Sequence, residues 1–357
     1  MISLSQPDLG EKEKQRVAAV IDRGPQLTRG SEVDAFESEF AQFCDTPHGV
    51  ATTNGTSALH TACEALGLGR GDRIATTPFS FIASVNAIRW CGAEPTFVDI
   101  REETYNLDLQ EFEAQLRDGE QIDAVLVVHL FGLPCDMAHL TELAEEYEFL
   151  IIEDAAQAHG ATYEGTPVGS FGDAACFSFF PSKNMVTGEG GMVVTDRTNV
   201  AERARSFIEH GATDEGYDGL GHNFCMSEIT AAIGRIQLEK LPKYNETRRH
   251  NARRLTESLH DHIVPPIEPA PCRHVYHQYT IQSDARNTLR RALAEHGIAS
   301  KAYYETPIHH QPAFSEYDVH LPMADRLSTR VLSLPVHPQL SSEEISHIVD
   351  TVNEHSP

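Results

Sequence analysis

Seven short apolar runs rich in β-branched residues punctuate the first 200 residues, and helical patterns fill the gaps between them. The runs cover residues 49–52, 73–76, 94–99, 124–129, 150–153, 174–179 and 192–195. Between them Val33, Phe36, Phe40 and Phe43 recur at three- and four-residue steps. So do Leu59, Cys63 and Leu66, and then Leu109, Phe112 and Leu116. Strands alternating with amphipathic helices predict an α/β fold, a mostly parallel sheet with helices on both faces.

The pattern changes after the last run. Residues 226–241 form a helical stretch with Ile229, Ile233 and Ile236 on one face, expected to end before Pro242. A second helical pattern runs to about residue 260, and "VPPIEPAPCRH" then reads as a proline-rich connector. Beyond it come a strand-like "VYHQYTI", a helix at 288–296 and a final helix near 341–354. This predicts a large α/β domain over 1–241 and a smaller α+β domain over 242–357.

Composition narrows the function. At 40% hydrophobic and 23% charged residues the chain is globular in character. Its longest apolar stretch, 124–133, contains His129 and is too short to span a bilayer. The N-terminus lacks the basic start and apolar block of a signal peptide, so a cytoplasmic protein is expected. The seven cysteines are odd in number and form no CxxC pair, which argues against a disulfide framework or a structural zinc site.

A net charge of −25 speaks against nucleic acid, whose phosphates demand Lys and Arg. The one basic cluster, Arg248, Arg249, Arg253 and Arg254, lies at helical spacing and reads as a solvated face. Acidity with so few lysines suggests a halophilic setting, a cytosol rich in salt.

Of the six lysines, Lys12, Lys14, Lys240, Lys243 and Lys301 sit in polar, mostly helix-like surroundings. Lys183 alone follows an aromatic run, "FSFFPSKN", and precedes a glycine-rich turn. A desolvated lysine tends to lose its proton and become a nucleophile toward carbonyls. A surface lysine at a strand end is the plainer alternative. Asp154 closes the apolar run of "FLIIEDAAQAHG", where it could cap a helix or pair with a protonated ring nitrogen. In "ATTNGTSALH" the small hydroxyls at a helix start could hold phosphate or simply cap the helix. "TTPFSFIAS" offers Phe79 and Phe81, one for the core and one to lie against a planar ring. Asn223, before the long helix, is a helix-entry residue or a hydrogen-bonding group of a site.

In order and spacing these motifs resemble the DegT/StrS group of sugar aminotransferases, within the fold-type I pyridoxal-phosphate enzymes. The resemblance spans nearly the whole chain, from "LTRGSEVDAFESEFA" through "EDAAQAHGA" and "GEGGMVVT" to "TPIHHQPAF" and "VLSLPVHP". It implies pyridoxal 5'-phosphate as cofactor, with Lys183 bonded to it and shuttling the proton. It implies Asp154 as the ring-nitrogen partner and Gln157 as the partner of the ring hydroxyl. Thr56, Ser57 and Ser178 fall on the phosphate cup, and Phe81 on the position stacked on the ring. Asn223 falls on a residue that reaches the neighbouring subunit's phosphate, implying a homodimer with shared sites. His159 and His309 fall where relatives approach the sugar nucleotide.

Cys225, Tyr303 and His310 depart from frequent family choices. Dehydratase relatives replace the lysine with histidine, whereas this chain keeps Lys183. The expected substrate is a nucleotide-linked keto sugar, with glutamate as amino donor. The alternatives are a keto-cyclitol transaminase and a cofactor-binding regulator without turnover. A metal at His309–His310 is set aside, because no carboxylate stands at ligand spacing.

Overall fold

A computed structural model describes residues 1–355. All seven apolar runs become strands of one sheet: β1 (His48–Thr52), β2 (Arg73–Thr76), β3 (Glu94–Phe97), β4 (Ala124–Val128), β5 (Leu150–Asp154), β6 (Ala174–Ser178) and β7 (Gly191–Thr195). Their order is β1-β7-β6-β5-β4-β2-β3. Strand β7 runs antiparallel to both its neighbours, and the remaining pairs are parallel. Every residue of β4, Ala-Val-Leu-Val-Val, is buried, as expected for a strand covered on both faces.

The helices are α1 (Glu11–Asp22), α2 (Ser31–Phe43), α3 (Gly55–Ala65), α4 (Ala83–Trp90), α5 (Leu109–Arg117), α6 (Met137–Tyr147), α7 (Thr198–Ile208), α8 (Glu228–Ser258), α9 (Arg286–Glu295), α10 (Pro322–Ser328) and α11 (Ser342–His355). Alternate residues of each strand feed two cores. On one face Phe40 of α2 meets Phe177 and Phe179 with ring centroids 4.9 and 5.2 Å apart, and Phe112 of α5 meets Phe149. On the other, Cys176, Ile152 and Val193 pack under Ala58, Val85 and Ala204 from α3, α4 and α7. Aromatic edge-to-face contacts of this kind add about 0.5–1.5 kcal/mol each beyond buried area.

The break expected at Pro242 does not occur. α8 runs unbroken for 31 residues with Pro242 inside it. A proline removes one backbone donor and crowds the preceding turn, but the flanking turns are held from outside. Gln237 and Tyr244 bond Asp8 at 2.8 and 2.7 Å, and Leu241 is fully buried. Glu228, the first residue of α8, accepts the free N–H groups of Gly30, Glu32 and Val33 at the start of α2.

Beyond α8 an antiparallel pair, β8 (Tyr279–Gln282) with β9 (Val331–Leu334), packs against α9 and α11. Tyr279, Leu289, Leu332 and Ile348 share a core there with Leu255 of α8 and with Ile2. The N-terminus is thereby stitched to late chain. Ile2 N–H donates to Gly297 O at 2.8 Å, and His337 Nε2 lies 3.1 Å from Ser3 O. The arginine cluster is not a solvated face throughout: Arg248 is buried and donates to the carbonyls of Tyr276 and His277.

Candidate active site

The carboxyl ends of β1, β2, β5 and β6 open onto a cavity of about 950 Å³, where parallel sheets of this class present their ligand sites. The chain leaves β1 through Thr53 and Asn54 and turns at once into α3. Asn54 caps the helix, its Oδ1 accepting Ser57 N–H at 2.8 Å and Ser57 O–H at 3.0 Å. Gly55 is required by packing, because a Cβ there would stand 2.6 Å from the Ser178 Cβ. This close approach sets the Ser178 hydroxyl, from the end of β6, beside those of Thr56 and Ser57 on the cavity wall. Free N–H groups at a helix start and three hydroxyls fit a phosphate.

Asp154 ends β5 and points to the α3/α4 side. Its carboxylate accepts the Ser84 hydroxyl at 2.7 Å and Ala156 N–H at 3.2 Å. Burial pushes its pKa up, while the two hydrogen bonds and the Lys183 charge pull it back. A cation close by, such as a protonated ring nitrogen, would hold it ionised.

Lys183 follows β6, its N–H bonded to Phe180 O at 2.8 Å in the turn that leads to β7. The residue is partly exposed through the cavity, but its amine is desolvated. That burial brings its pKa down to about 8, opposed by Asp154. It is not a surface lysine at a strand end. An amine with its pKa lowered in this way, sharing a cavity with a carboxylate, is equipped to attack a carbonyl and carry a proton.

Gln157 also lines the cavity, its Oε1 accepting Phe131 N–H at 2.8 Å and its Nε2 donating to Tyr304 O–H at 3.3 Å. The two phenylalanines divide as their chemistry allows. Phe79 is fully buried, while Phe81 is 59% exposed and faces the cavity. Of the glycines after Lys183, Gly190 and Gly191 crowd protein: a Cβ on Gly191 would meet Asn54 O at 2.3 Å, so Gly191 seats β7 against the α3 entrance.

Three expected residues lie elsewhere. Asn223 is exposed and outside this cavity, although the next residue, Phe224, lines it. His159 is fully buried against Phe177 and Phe179, and burial takes its ring pKa to about 3. It packs against these two rings and not on the cavity wall. His309 is buried behind the wall, near Phe97. The fold does bring a carboxylate to the histidine pair: Asp325 of α10 lies 2.7 Å from His310 Nε2 and 3.3 Å from His309 Nε2.

Other wall residues escaped the sequence. Ser84 stands 70 residues before the carboxylate it serves, with only its place in "TTPFSFIAS" as a signal. His277, Tyr304 and Lys301 come from beyond the proline-rich connector, and no local pattern marks them.

The same chemistry is found in proteins of similar sequence and shape. The model of the DegT/DnrJ/EryC1/StrS aminotransferase family matches residues 7–353. A UDP-N-acetyl-3-dehydro-alpha-D-glucosamine 3-aminotransferase of Acidithiobacillus ferrooxidans is 40% identical, over 90% of this chain and 88% of that protein. A pleiotropic regulatory protein of Geobacillus stearothermophilus is 37% identical, over 97% of each chain. The crystal structure of a DegT DnrJ EryC1 StrS aminotransferase from Brucella abortus superposes with a TM-score of 0.92 at 33% identity, over 97% of this chain and 96% of that one. A match this continuous, with an amine, an acid and a phosphate cradle meeting in one cavity, places the chain in the DegT/DnrJ/EryC1/StrS aminotransferase family.

Proposed function

We propose that this chain transfers an amino group, with glutamate as donor, to the keto carbon of a nucleotide-linked sugar. The observation that carries the reading is Lys183, a desolvated amine with a pKa of about 8 that shares its cavity with Asp154 and the α3 cradle. The cofactor is pyridoxal 5'-phosphate, which when bound supplies an aldehyde for the amine and an electron sink for the substrate carbon.

Each side chain then has a task. The N–H groups at the start of α3 and the hydroxyls of Thr56, Ser57 and Ser178 hold the phosphate. Asp154 would accept a hydrogen bond from the ring N–H and keep that nitrogen charged. Gln157 would serve the ring hydroxyl, and Phe81 would cover a ring face. Lys183 takes a proton from the substrate carbon on one side of the transfer and returns it on the other.

The wall is completed by Tyr304, from the proposed small domain over 242–357. Asn223 is the residue proposed to serve a second copy of the chain, in a homodimer with shared sites. Its exposed place beside the cavity-lining Phe224 supports this.

A second reading, a cofactor-binding regulator without turnover, is favoured by the name of the Geobacillus relative. One experiment separates the two. Purified protein with pyridoxal 5'-phosphate and glutamate is offered a panel of keto-sugar nucleotides, and products are weighed by mass spectrometry. Amino-sugar product that disappears with Lys183→Ala supports the transferase. Cofactor bound at Lys183 with no product from any member of the panel favours the regulator.

A further inference from the structure

The cavity wall carries two lysines. Lys183 belongs to the cofactor; Lys301, on the other side of the proline-rich connector, has no such task. Three of the remaining four lysines are paired, Lys12 with Glu239, Lys14 with Glu11 and Lys240 with Glu13. Among the described residues no ion pair involves Lys301, in a chain with 53 acids against 28 bases.

Its place is nonetheless well defined. Its backbone is tied to β9, Lys301 N–H donating to Ser333 O at 3.2 Å and Ser333 N–H to Lys301 O at 2.8 Å. Its Nζ stands 4.8 Å from the ring centroid of Tyr303, which also lines the cavity. A cation over a ring face is oriented without being neutralised. The nearby wall carboxylate, Glu305, is already bound by Arg286 at 3.2 Å and by Arg290. Glu305 is thus taken up by two arginines that do not line the cavity, which leaves Lys301 and Lys183 as the lysines of its wall. An acid-rich chain that leaves a lysine uncompensated at a cavity mouth has a position ready for an anion from outside.

We infer that Lys301 and Tyr303 form an anion subsite for the diphosphate of the sugar nucleotide. The inference rests on the acceptor proposed above. The reacting carbon must reach Lys183, deep in the cavity. The diphosphate hangs from the far side of the sugar ring, so it trails toward the mouth, where Lys301 is exposed. The carboxylates of an amino donor stay within a few bonds of the reacting carbon.

The test uses the holoenzyme and two variants, Lys301→Met and Lys301→Arg. UDP, GDP and dTDP are titrated by calorimetry, and KM is measured for the keto-sugar nucleotide and for glutamate. Losing a charge-assisted contact should weaken the preferred diphosphate roughly tenfold in Lys301→Met. The acceptor KM should rise far more than kcat falls, and Lys301→Arg should recover most of the loss. The cofactor absorption should be unchanged. A diphosphate that binds wild type and Lys301→Met equally overturns the subsite and leaves the transferase reading standing. A rise confined to the glutamate KM overturns it too, assigning Lys301 to the donor. If wild type binds no nucleoside diphosphate and aminates no nucleotide sugar, the acceptor reading falls, and the subsite with it.

Discussion

Glu153 and Asp154 are neighbours on one strand, and both are buried. Strand geometry sends them to opposite faces of the sheet. Glu153 is saturated: its carboxylate accepts the N–H groups of Gly169, Phe171 and Gly172 at 2.8, 2.9 and 2.8 Å. His129 Nε2 adds a fourth partner at 2.9 Å, its proton assigned there because Nδ1 already accepts Cys135 N–H. Asp154 has two protein donors and opens onto the cavity. The saturated acid organises a loop, and the under-saturated one keeps capacity for something that is not protein. What separates structure from chemistry here is not residue type or burial. It is how many partners the fold has already supplied.

The comparison breaks most visibly if the two acids are neutralised in turn. Asp154→Asn should lower turnover by about 10²–10³-fold, the scale of a lost preorganised charge contact, with little change in denaturant midpoint. Glu153→Gln should do the reverse. It puts an amide donor among N–H donors in a buried cage, so stability should fall by about 2–4 kcal/mol while the folded fraction keeps most of its turnover. Parallel kcat measurements and urea titrations decide it. An Asp154→Asn protein that unfolds early, or a Glu153→Gln protein that is stable but inert, would reverse the roles.

A smaller effect sharpens the Asp154 side. Ser84→Ala removes one of its two donors and should reduce turnover several-fold, about 1 kcal/mol of barrier. Because that hydrogen bond favours the ionised carboxylate, its loss should move the acid limb of the pH–rate profile to higher pH. A lower rate with an unmoved acid limb would make Ser84 a packing residue.

A last signal is kinetic. With its pKa lowered to about 8, the Lys183 amine of the cofactor-free protein is protonated below that value and neutral above it. Uptake of pyridoxal 5'-phosphate, followed by absorbance, should quicken by up to about tenfold per pH unit on the acid side and level off above pH 8. A flat profile from about pH 6 to 9 would mean that the amine is neutral throughout.

Much of this was written in local pattern. The seven strands were legible because β-branched runs bounded by turns leave few alternatives. Lys183 and Asp154 were legible because each ends such a run at the sheet edge. The choice between Phe79 and Phe81 was open until burial decided it. His159 misled because its motif is contiguous with Asp154, yet the turn after β5 carries it against Phe177 and Phe179 at the end of β6. Pro242 misled because local stereochemistry predicts a break, and only distant groups such as Asp8 explain why none occurs. Arg248, Asp325 and Lys301 share one difficulty. Their partners or neighbours are fixed by tertiary packing, which no window of ten or fifteen residues contains.

The stitching of the N-terminus to late chain has a consequence for how the molecule is made. Ser3, Asp8 and the start of α2 find their partners in His337, Tyr244 and Glu228. On a ribosome, these residues emerge well before their partners and are docked late. They wait on the order of tens of seconds at ordinary rates of synthesis. Their composition suits the wait: of the twelve residues of α1 only Glu13 and Val20 end up buried. With six charged residues among its twelve, α1 can remain in water until the rest of the chain has been translated.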